Sequence, residues 1–213
     1  MNRFRDRKGN PVPLGAIGNA AAALAGAMLR VGFGYRPARP TISPSAVRRL
    51  RSLLPRNAVV AEFGSGLSTI WFARHFGKVI AVEHHPDWAK LIRRRLAGER
   101  LSNVDYLVVD PAAYVAALEP YPDGTFDFML VDGLDRAGCL AHALPKMKAG
   151  GDVYLDNTDA DLDVANGEMR RAEQGLVEAV RQSGGTLEYF TDFAPINFFA
   201  EQGALARLGP NQR

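Results

Sequence analysis

Carboxylates and glycines follow one another closely between residues 58 and 83. An apolar run ends at Glu62, the loop Gly64–Gly66 comes next, and a second apolar run ends at Glu83. Glycines let a backbone approach a ligand closely, and amides at the start of a following helix donate to anionic groups. A carboxylate in the position of Glu83 accepts hydrogen bonds from both hydroxyls of a ribose. The spacing therefore indicates a loop that binds an adenosine cofactor.

The residues around this loop favour one cofactor over another. A dinucleotide fingerprint requires a third glycine near Thr69, which is larger, and a pyrophosphate would be repelled by Glu62. An acidic residue at that point suits a cofactor with a cationic end, such as the sulfonium and ammonium groups of S-adenosylmethionine. The loop therefore favours S-adenosylmethionine. An NAD-linked oxidoreductase stays the alternative, because Glu83 alone would suit it equally well.

A second set of oxygen donors follows two later apolar runs. Asp132 ends the run "FMLV", and the pair Asp156–Asn157 ends "DVYL". Oxygen donors that converge in this way are the ligands that Mg²⁺ prefers, with waters completing its octahedron. The alternative is that Asp156 and Asn157 cap backbone amides while Asp132 orders the cofactor without a metal.

Regular alternation of strand and helix patterns positions these residues. Strands are predicted at 58–63, 78–83, 104–109, 126–131 and 151–156. Helices are predicted near 67–76, 86–97, 111–118 and 136–147, and a helix over about 166–183 precedes two further strands in "TLEYFTDF" and "INFFAEQ". The prediction is an α/β fold with a doubly wound, mostly parallel sheet, in which ligands bind at the carboxyl ends of the strands.

Five segments in order resemble the motifs of one family. They are "AEFGSGLSTIWFA", "VIAVEHHPDW", "FDFMLVDG", "ALPKMKAGGDVYLDN" and "DFAPIN". They look like the successive motifs of class I S-adenosylmethionine-dependent methyltransferases, most closely of a bacterial branch with E-F-G-S-G-x-S-T in the first loop. The resemblance covers about residues 58–200. It implies a seven-stranded sheet with an antiparallel last strand, and transfer of a methyl group.

The resemblance also implies a role for individual residues. The residues assigned to the cofactor are Glu62, Gly64, Ser65, Gly66, Ser68, Glu83, His84, Asp110 and Asp132. Those in the first loop would border the methionine moiety, Glu83 would hold the ribose, and His84 would lie beside it. Asp110 or its neighbour would meet the adenine. Asp132 would face the sulfonium and the substrate.

Catechol-type O-methyltransferases look similar at two strand ends, which implies that Asp132, Asp156 and Asn157 hold Mg²⁺. The chain departs from their pattern, because a lysine is usual three residues after the first aspartate and Asp135 stands there, followed by Arg136. An arginine stays protonated and cannot act as a base, although it could steer an anionic substrate. Asp132 and Arg136 are the candidate catalytic residues.

Length and charge divide the chain into two parts. Its 213 residues, 47% hydrophobic and 23% charged, suit one globular α/β domain, and the single cysteine, Cys139, favours the cytoplasm. Residues 1–56 carry eleven Lys and Arg but only one acidic residue. We therefore predict a basic helical extension or lid over residues 1–56 and a cofactor-binding domain over 57–213.

The basic extension permits several partners. Its charge fits the acidic body of the same chain, a second subunit in a homodimer, or an anionic membrane surface, whereas the absence of a nucleic-acid motif argues against RNA or DNA. Residues 1–13 are expected to be poorly ordered. The apolar stretch 16–29 is too short to span a bilayer and lacks a cleavage site, so a helix packed on the body or on a second subunit is expected.

The predicted function is methyl transfer from S-adenosylmethionine to a small-molecule acceptor, at oxygen rather than nitrogen. The basic N-terminal helices and the segment 193–198 would border the acceptor, and Trp88 would either line the cofactor pocket or anchor its own helix. A protein that binds S-adenosylmethionine or a partner without catalysis is the second alternative, beside the NAD-linked oxidoreductase.

Overall fold

Strands and helices alternate from residue 59 onwards, as the sequence predicts. The structure, a computed structural model, describes residues 2–164 and 166–210. Met1, Ala165 and residues 211–213, which belong to the predicted ranges 1–56 and 57–213, lie outside the described residues. The strands are β1 (Val59–Phe63), β2 (Lys78–Glu83), β3 (Val104–Val108), β4 (Phe126–Val131), β5 (Met147–Leu155), β6 (Thr186–Phe193) and β7 (Ala200–Arg207). The helices are α1 (Asn19–Phe33), α2 (Pro44–Leu53), α3 (Leu67–His75), α4 (Pro86–Gly98), α5 (Arg136–Ala143) and α6 (Glu168–Ser183).

All seven strands form one sheet in the order β3-β2-β1-β4-β5-β7-β6. Strands β1 to β5 pair in parallel, and β7 is antiparallel to both β5 and β6. The predicted seven-stranded, mostly parallel sheet is therefore confirmed. The strand order reverses between β1 and β4, which makes their carboxyl ends the switch point of the fold. There the amide of Asp132 donates to the carbonyl of Phe63 over 2.9 Å, so the two strand ends are fixed together.

Apolar side chains fill both faces of the sheet. One face packs α2, α3 and α4 through buried residues such as Leu50, Phe72 and Ile92. The other face packs α5 and α6 through residues such as Leu140 and Leu176. Because both faces are covered, the central strands are apolar throughout, and polar residues are concentrated at the strand ends.

The structure differs from the predicted elements in three places. The segment 111–118 was expected to be a helix, but only Pro111–Ala113 form a 3₁₀ turn, and turn-type hydrogen bonds continue to Tyr121. Pro120 disfavours helical geometry in the residue before it, which shortens the segment. Helix α5 ends at Ala143, and a 3₁₀ turn over Leu144–Lys146 leads directly into β5, which begins at Met147. The last strand begins at Ala200, later than "INFFAEQ" indicates.

The N-terminal residues pack on the body of the protein, which makes the expectation of poor order wrong for residues 2–13. Arg5 and Pro11 form a β-bridge, and the carboxylate of Asp6 is buried. Asp6 accepts hydrogen bonds from Thr191 over 2.7 Å and from Gln202 over 3.1 Å, on β6 and β7. The division at residues 56 and 57 stays a prediction.

Helix α1 continues this attachment along its first half. Ala20 and Ala23 are buried against Phe193 and Ala200, and a Cβ added to Gly26 would lie 2.0 Å from the carbonyl oxygen of Pro195. The helical stretch Leu14–Phe33 is 20 residues long with a mean hydropathy of 1.4, so by length and composition it can cross a membrane. The sequence expectation concerned residues 16–29 alone, and the helical stretch extends beyond them at both ends. The cytoplasmic location stays a prediction.

Candidate cofactor and active site

A cavity of about 460 Å³ opens at the carboxyl ends of β1, β2 and β4. It brings together seven of the residues assigned to the cofactor, namely Gly64, Ser65, Gly66, Ser68, Glu83, His84 and Asp132. Other segments complete the lining, with Arg36, Pro37 and Thr41 after α1, Leu134 after β4, and Ile196 after β6. Its volume lies in the range usual for small-molecule sites.

The carboxylate of Glu83 lies at the centre of a hydrogen-bond network on one side of the cavity. Its Oε1 accepts from the amides of His84 and His85, each over 2.8 Å, and its Oε2 accepts from the Ser65 hydroxyl over 2.9 Å. The hydroxyl of Ser65 also bonds that of Tyr106. These contacts hold the carboxylate in one orientation and leave one lone pair of Oε2 free for a ribose hydroxyl.

The carboxylate of Glu62 is fully buried beneath the glycine loop. Its oxygens accept hydrogen bonds from the hydroxyls of Ser68 and Thr69, the latter over 2.5 Å. Burial raises the pKa of Glu62 to about 8, and the two hydroxyls oppose that rise only in part. Glu62 therefore does not line the cavity itself. It lies behind Ser68, which lines the cavity.

Two glycines let the loop after β1 pass close to the loop after β4. Gly64 has a φ of +88°, and a Cβ on it would lie 2.3 Å from the carbonyl oxygen of Asp132. A Cβ on Gly133 would lie 2.0 Å from the Tyr114 hydroxyl. Gly64 thus has both reasons to be glycine, conformational and steric. Gly66, by contrast, has extended geometry, and the nearest atom to a Cβ there is Ser68 Oγ at 3.6 Å.

The two candidate catalytic residues form an ion pair. The Nη2 atom of Arg136 donates to Asp132 over 2.9 Å and to Asn157 over 3.1 Å. Burial raises the pKa of Asp132, which Arg136 opposes. Burial, together with the neighbouring Asp132, raises the pKa of Asp156 well above its ordinary value.

These contacts do not fit a divalent cation on Asp132, Asp156 and Asn157. A guanidinium already lies between Asp132 and Asn157, so a metal ion there would meet a fixed positive charge. Within the described ranges 2–164 and 166–210, no group of three or more His, Cys, Asp or Glu side chains could hold a metal. Only Asp132 of the three lines the cavity.

Some site residues differ from the sequence expectations. Asp110 is exposed and precedes the 3₁₀ turn, and it does not line the cavity. Trp88 lines the cavity and anchors the loop, because its indole N–H donates to the Ser65 carbonyl over 2.8 Å. Tyr106 was missed, since nothing in the sequence distinguishes it from other apolar strand residues. Arg36 likewise has no sequence feature that separates it from the other arginines of residues 1–56.

Comparisons with known proteins agree with this arrangement. Residues 59–155 match a family described as a methyltransferase domain. A search of curated proteins gives no match. The chain resembles the solved structure of the O-methyltransferase TomG from Streptomyces achromogenes in complex with SAM, with a TM-score of 0.65, 20% identity, and 88% of this chain and 89% of that chain covered.

Two further solved structures have the same fold. The O-methyltransferase from Bacillus cereus in complex with SAH gives a TM-score of 0.64 at 17% identity, covering 88% of this chain and 90% of that chain. Cofactor-bound Rv0187 from MTB gives 0.62 at 22% identity, covering 93% of each chain. The matched domain spans β1 to β5, which carry the glycine loop, Glu83 and Asp132. Residues 59–155 thus resemble a methyltransferase domain, and the chain has the fold of these methyltransferase structures.

Proposed function

We propose that the enzyme methylates an oxygen atom of a small-molecule acceptor. The observation that carries the proposal is one cavity lined by two chemically different sets of residues. Ser65 and Glu83 are suited to the adenosine of the donor, whereas Arg36 and Ile196 come from segments outside the matched domain. Asp132 lines the same cavity. The acceptor would therefore enter next to the sulfonium.

The reaction needs little from the protein beyond placement. A lone pair of the acceptor oxygen attacks the methyl carbon, the carbon–sulfur bond breaks, and its electron pair stays on sulfur, giving S-adenosylhomocysteine. The acceptor proton passes to solvent or to a carboxylate. Alignment and exclusion of water supply most of the acceleration, because the sulfonium is already a good leaving group. No step is assigned to a metal ion, since Arg136 occupies that position.

Asp132 is the residue proposed to act on the reacting atoms. Its Oδ1 is held by Arg136, which fixes the orientation of the carboxylate. A carboxylate in this orientation can attract the sulfonium and accept a hydrogen bond from an acceptor hydroxyl. Oxygen as the methylated atom is supported by two of the structural neighbours, which are described as O-methyltransferases. Arg36 in the lining of the cavity favours an acceptor with negative charge.

Radiolabelled S-adenosylmethionine and a panel of phenols, carboxylates and amines test this proposal. The expected result is labelled product from hydroxylated or carboxylated acceptors, and a loss of turnover in Asp132→Asn. Asp123→Asn, an exposed carboxylate far from the cavity, is the matched control and should keep its activity. Binding of the donor without turnover across the panel would favour the non-catalytic alternative. Label found only in amines would overturn transfer to oxygen.

A further inference from the structure

Helix α1 presents an apolar surface to solvent. Its large side chains Leu24, Met28, Leu29, Val31 and Phe33 are all exposed, and we call them the apolar α1 surface. Val31 is 81% exposed and Phe33 is 84% exposed. Asn19 and Arg30 are the polar side chains of this helix, and Asn19 is turned toward the carboxylate of Asp192 over 2.9 Å. A water-exposed helix normally carries polar residues on its outer side, so this surface indicates an interaction site.

Positive charge is concentrated in the sequence next to this surface. From residue 7 to residue 61 the chain has nine Lys and Arg and no Asp or Glu. Arg30 lies on α1 itself, and Arg36 and Arg39 follow its C-terminal end; none of the three forms an ion pair with any residue that the structure describes. Arginines without acidic partners beside an apolar helix are complementary to a surface that is apolar inside and negatively charged outside.

We propose that α1 docks on an anionic membrane surface, with the apolar α1 surface at the headgroup–acyl boundary and the arginines on the headgroups. A second copy of the chain is a less suitable partner, because a two-fold contact through α1 would bring two basic segments together. Negatively charged lipid headgroups attract these basic segments. The proposal does not depend on which acceptor is methylated.

The attachment of α1 to the body favours surface docking over a membrane-crossing helix. Although Leu14–Phe33 is long enough to cross, Ala16, Ala20 and Ala23 are buried against Phe193. Asn19 is bonded to a buried carboxylate on β6. A helix that crossed the bilayer would lose these contacts, whereas a helix lying in the interface keeps them. Arg36 and Pro37 follow α1 and line the cavity, so docking would bring the cavity rim near the headgroups.

Co-sedimentation of the full-length protein with vesicles tests the proposal. Vesicles of phosphatidylcholine alone are compared with vesicles that also contain phosphatidylglycerol, over a series of salt concentrations. Wild-type protein should sediment with the anionic vesicles and be released by high salt. Val31→Glu should reduce binding by about tenfold or more, because a charge is placed in the apolar boundary. Phe33→Glu should act in the same direction.

Val177→Glu provides the matched control, because Val177 is an exposed valine on α6. It should bind vesicles as the wild type does, and all three variants should keep S-adenosylhomocysteine binding, which shows that they are folded. No binding to anionic vesicles, or equal binding by Val31→Glu, would overturn the proposal. Retention on vesicles after a high-salt wash would indicate insertion instead. A wild-type dimer that Val31→Glu dissociates, without vesicle binding, would identify a second copy as the partner.

Discussion

The hydroxyl of Ser65 donates a hydrogen bond of 2.9 Å to Oε2 of Glu83, which ties the glycine loop after β1 to the end of β2. Tyr106 on β3 bonds the same hydroxyl. Three neighbouring strands thus contribute to one polar network beside the cavity. The cofactor site is therefore held in shape by contacts among the protein's own residues, which lowers the conformational cost of binding.

Replacing Glu83 should weaken cofactor binding. In Glu83→Gln the charged acceptor for the ribose diol is lost, so we expect the Kd for S-adenosylhomocysteine to rise by about 10- to 100-fold. Isothermal titration calorimetry measures this change. Glu188→Gln is the control, since Glu188 is exposed and pairs with Arg49 at 2.8 Å, away from the cavity. Equal affinities for both variants would contradict the role of Glu83.

The two loop glycines should respond differently to alanine. Gly64→Ala requires a strained backbone and places a methyl group against the loop after β4. We therefore expect the free energy of unfolding to fall by at least about 1–3 kcal/mol. Gly66→Ala has room for its methyl group and should change stability by less than about 1 kcal/mol. Urea denaturation compares the two. Similar losses would show that the close approach at Gly64 is unimportant.

The buried carboxyl of Glu62 should make the cofactor-free protein less stable as pH rises. Its pKa is about 8 in the folded protein against an ordinary value of 4.5. Between these values the folded state holds a proton that the unfolded chain has released. The contribution of Glu62 to the free energy of unfolding is therefore greatest below 4.5, falls with rising pH, and levels off above about 8.

Denaturation from about pH 5 to about pH 9 measures this dependence. Glu201 contributes in the same direction, because burial raises its pKa to about 7, so the test is the difference between wild type and Glu62→Gln. The free energy of unfolding of Glu62→Gln should fall less with rising pH than that of the wild type. Glu188→Gln should show the same fall as the wild type. Identical slopes in wild type and Glu62→Gln would show that Glu62 ionises normally.

Divalent cations should not affect the enzyme. Because Arg136 already bonds Asp132 and Asn157, EDTA should leave turnover unchanged and Mg²⁺ should not raise the melting temperature. Arg136→Ala should lower the free energy of unfolding by about 1.5–3 kcal/mol, since it removes charge-assisted hydrogen bonds. Arg181→Ala, in an exposed pair with Glu178, should have little effect. Loss of activity with EDTA, restored by Mg²⁺, would contradict this interpretation.

The sequence predicts the parts of the fold and the site that depend on local pattern. Apolar runs predict the strands, and Ser43 with Pro44 predicts the start of α2, where Ser43 Oγ accepts from the Ala46 amide over 3.2 Å. Glu83 and Asp132 are predictable because they end such runs at the same edge of the sheet. Residues held by long-range packing are not: Tyr106 reaches Ser65 only because β3 lies beside β2.

The role of Arg136 also depends on tertiary contacts. The sequence places three oxygen donors at two strand ends and predicts a metal there, with a capping alternative. Only the folded chain shows that the first turn of α5 directs a guanidinium between Asp132 and Asn157. The exposed side of α1 is similar, because composition indicates an apolar helix but burial alone identifies which residues face solvent.

Calorimetric titration of the purified protein with S-adenosylhomocysteine, repeated with NAD, tests the central claim most directly. That claim is that Ser65, Glu83 and Asp132 line a pocket for an adenosyl methyl donor. We expect S-adenosylhomocysteine to bind one site per chain, S-adenosylmethionine to compete for it, and NAD to produce no heat. No heat and no thermal shift with either adenosyl compound, or tight binding of NAD in their place, would contradict the assignment of this site.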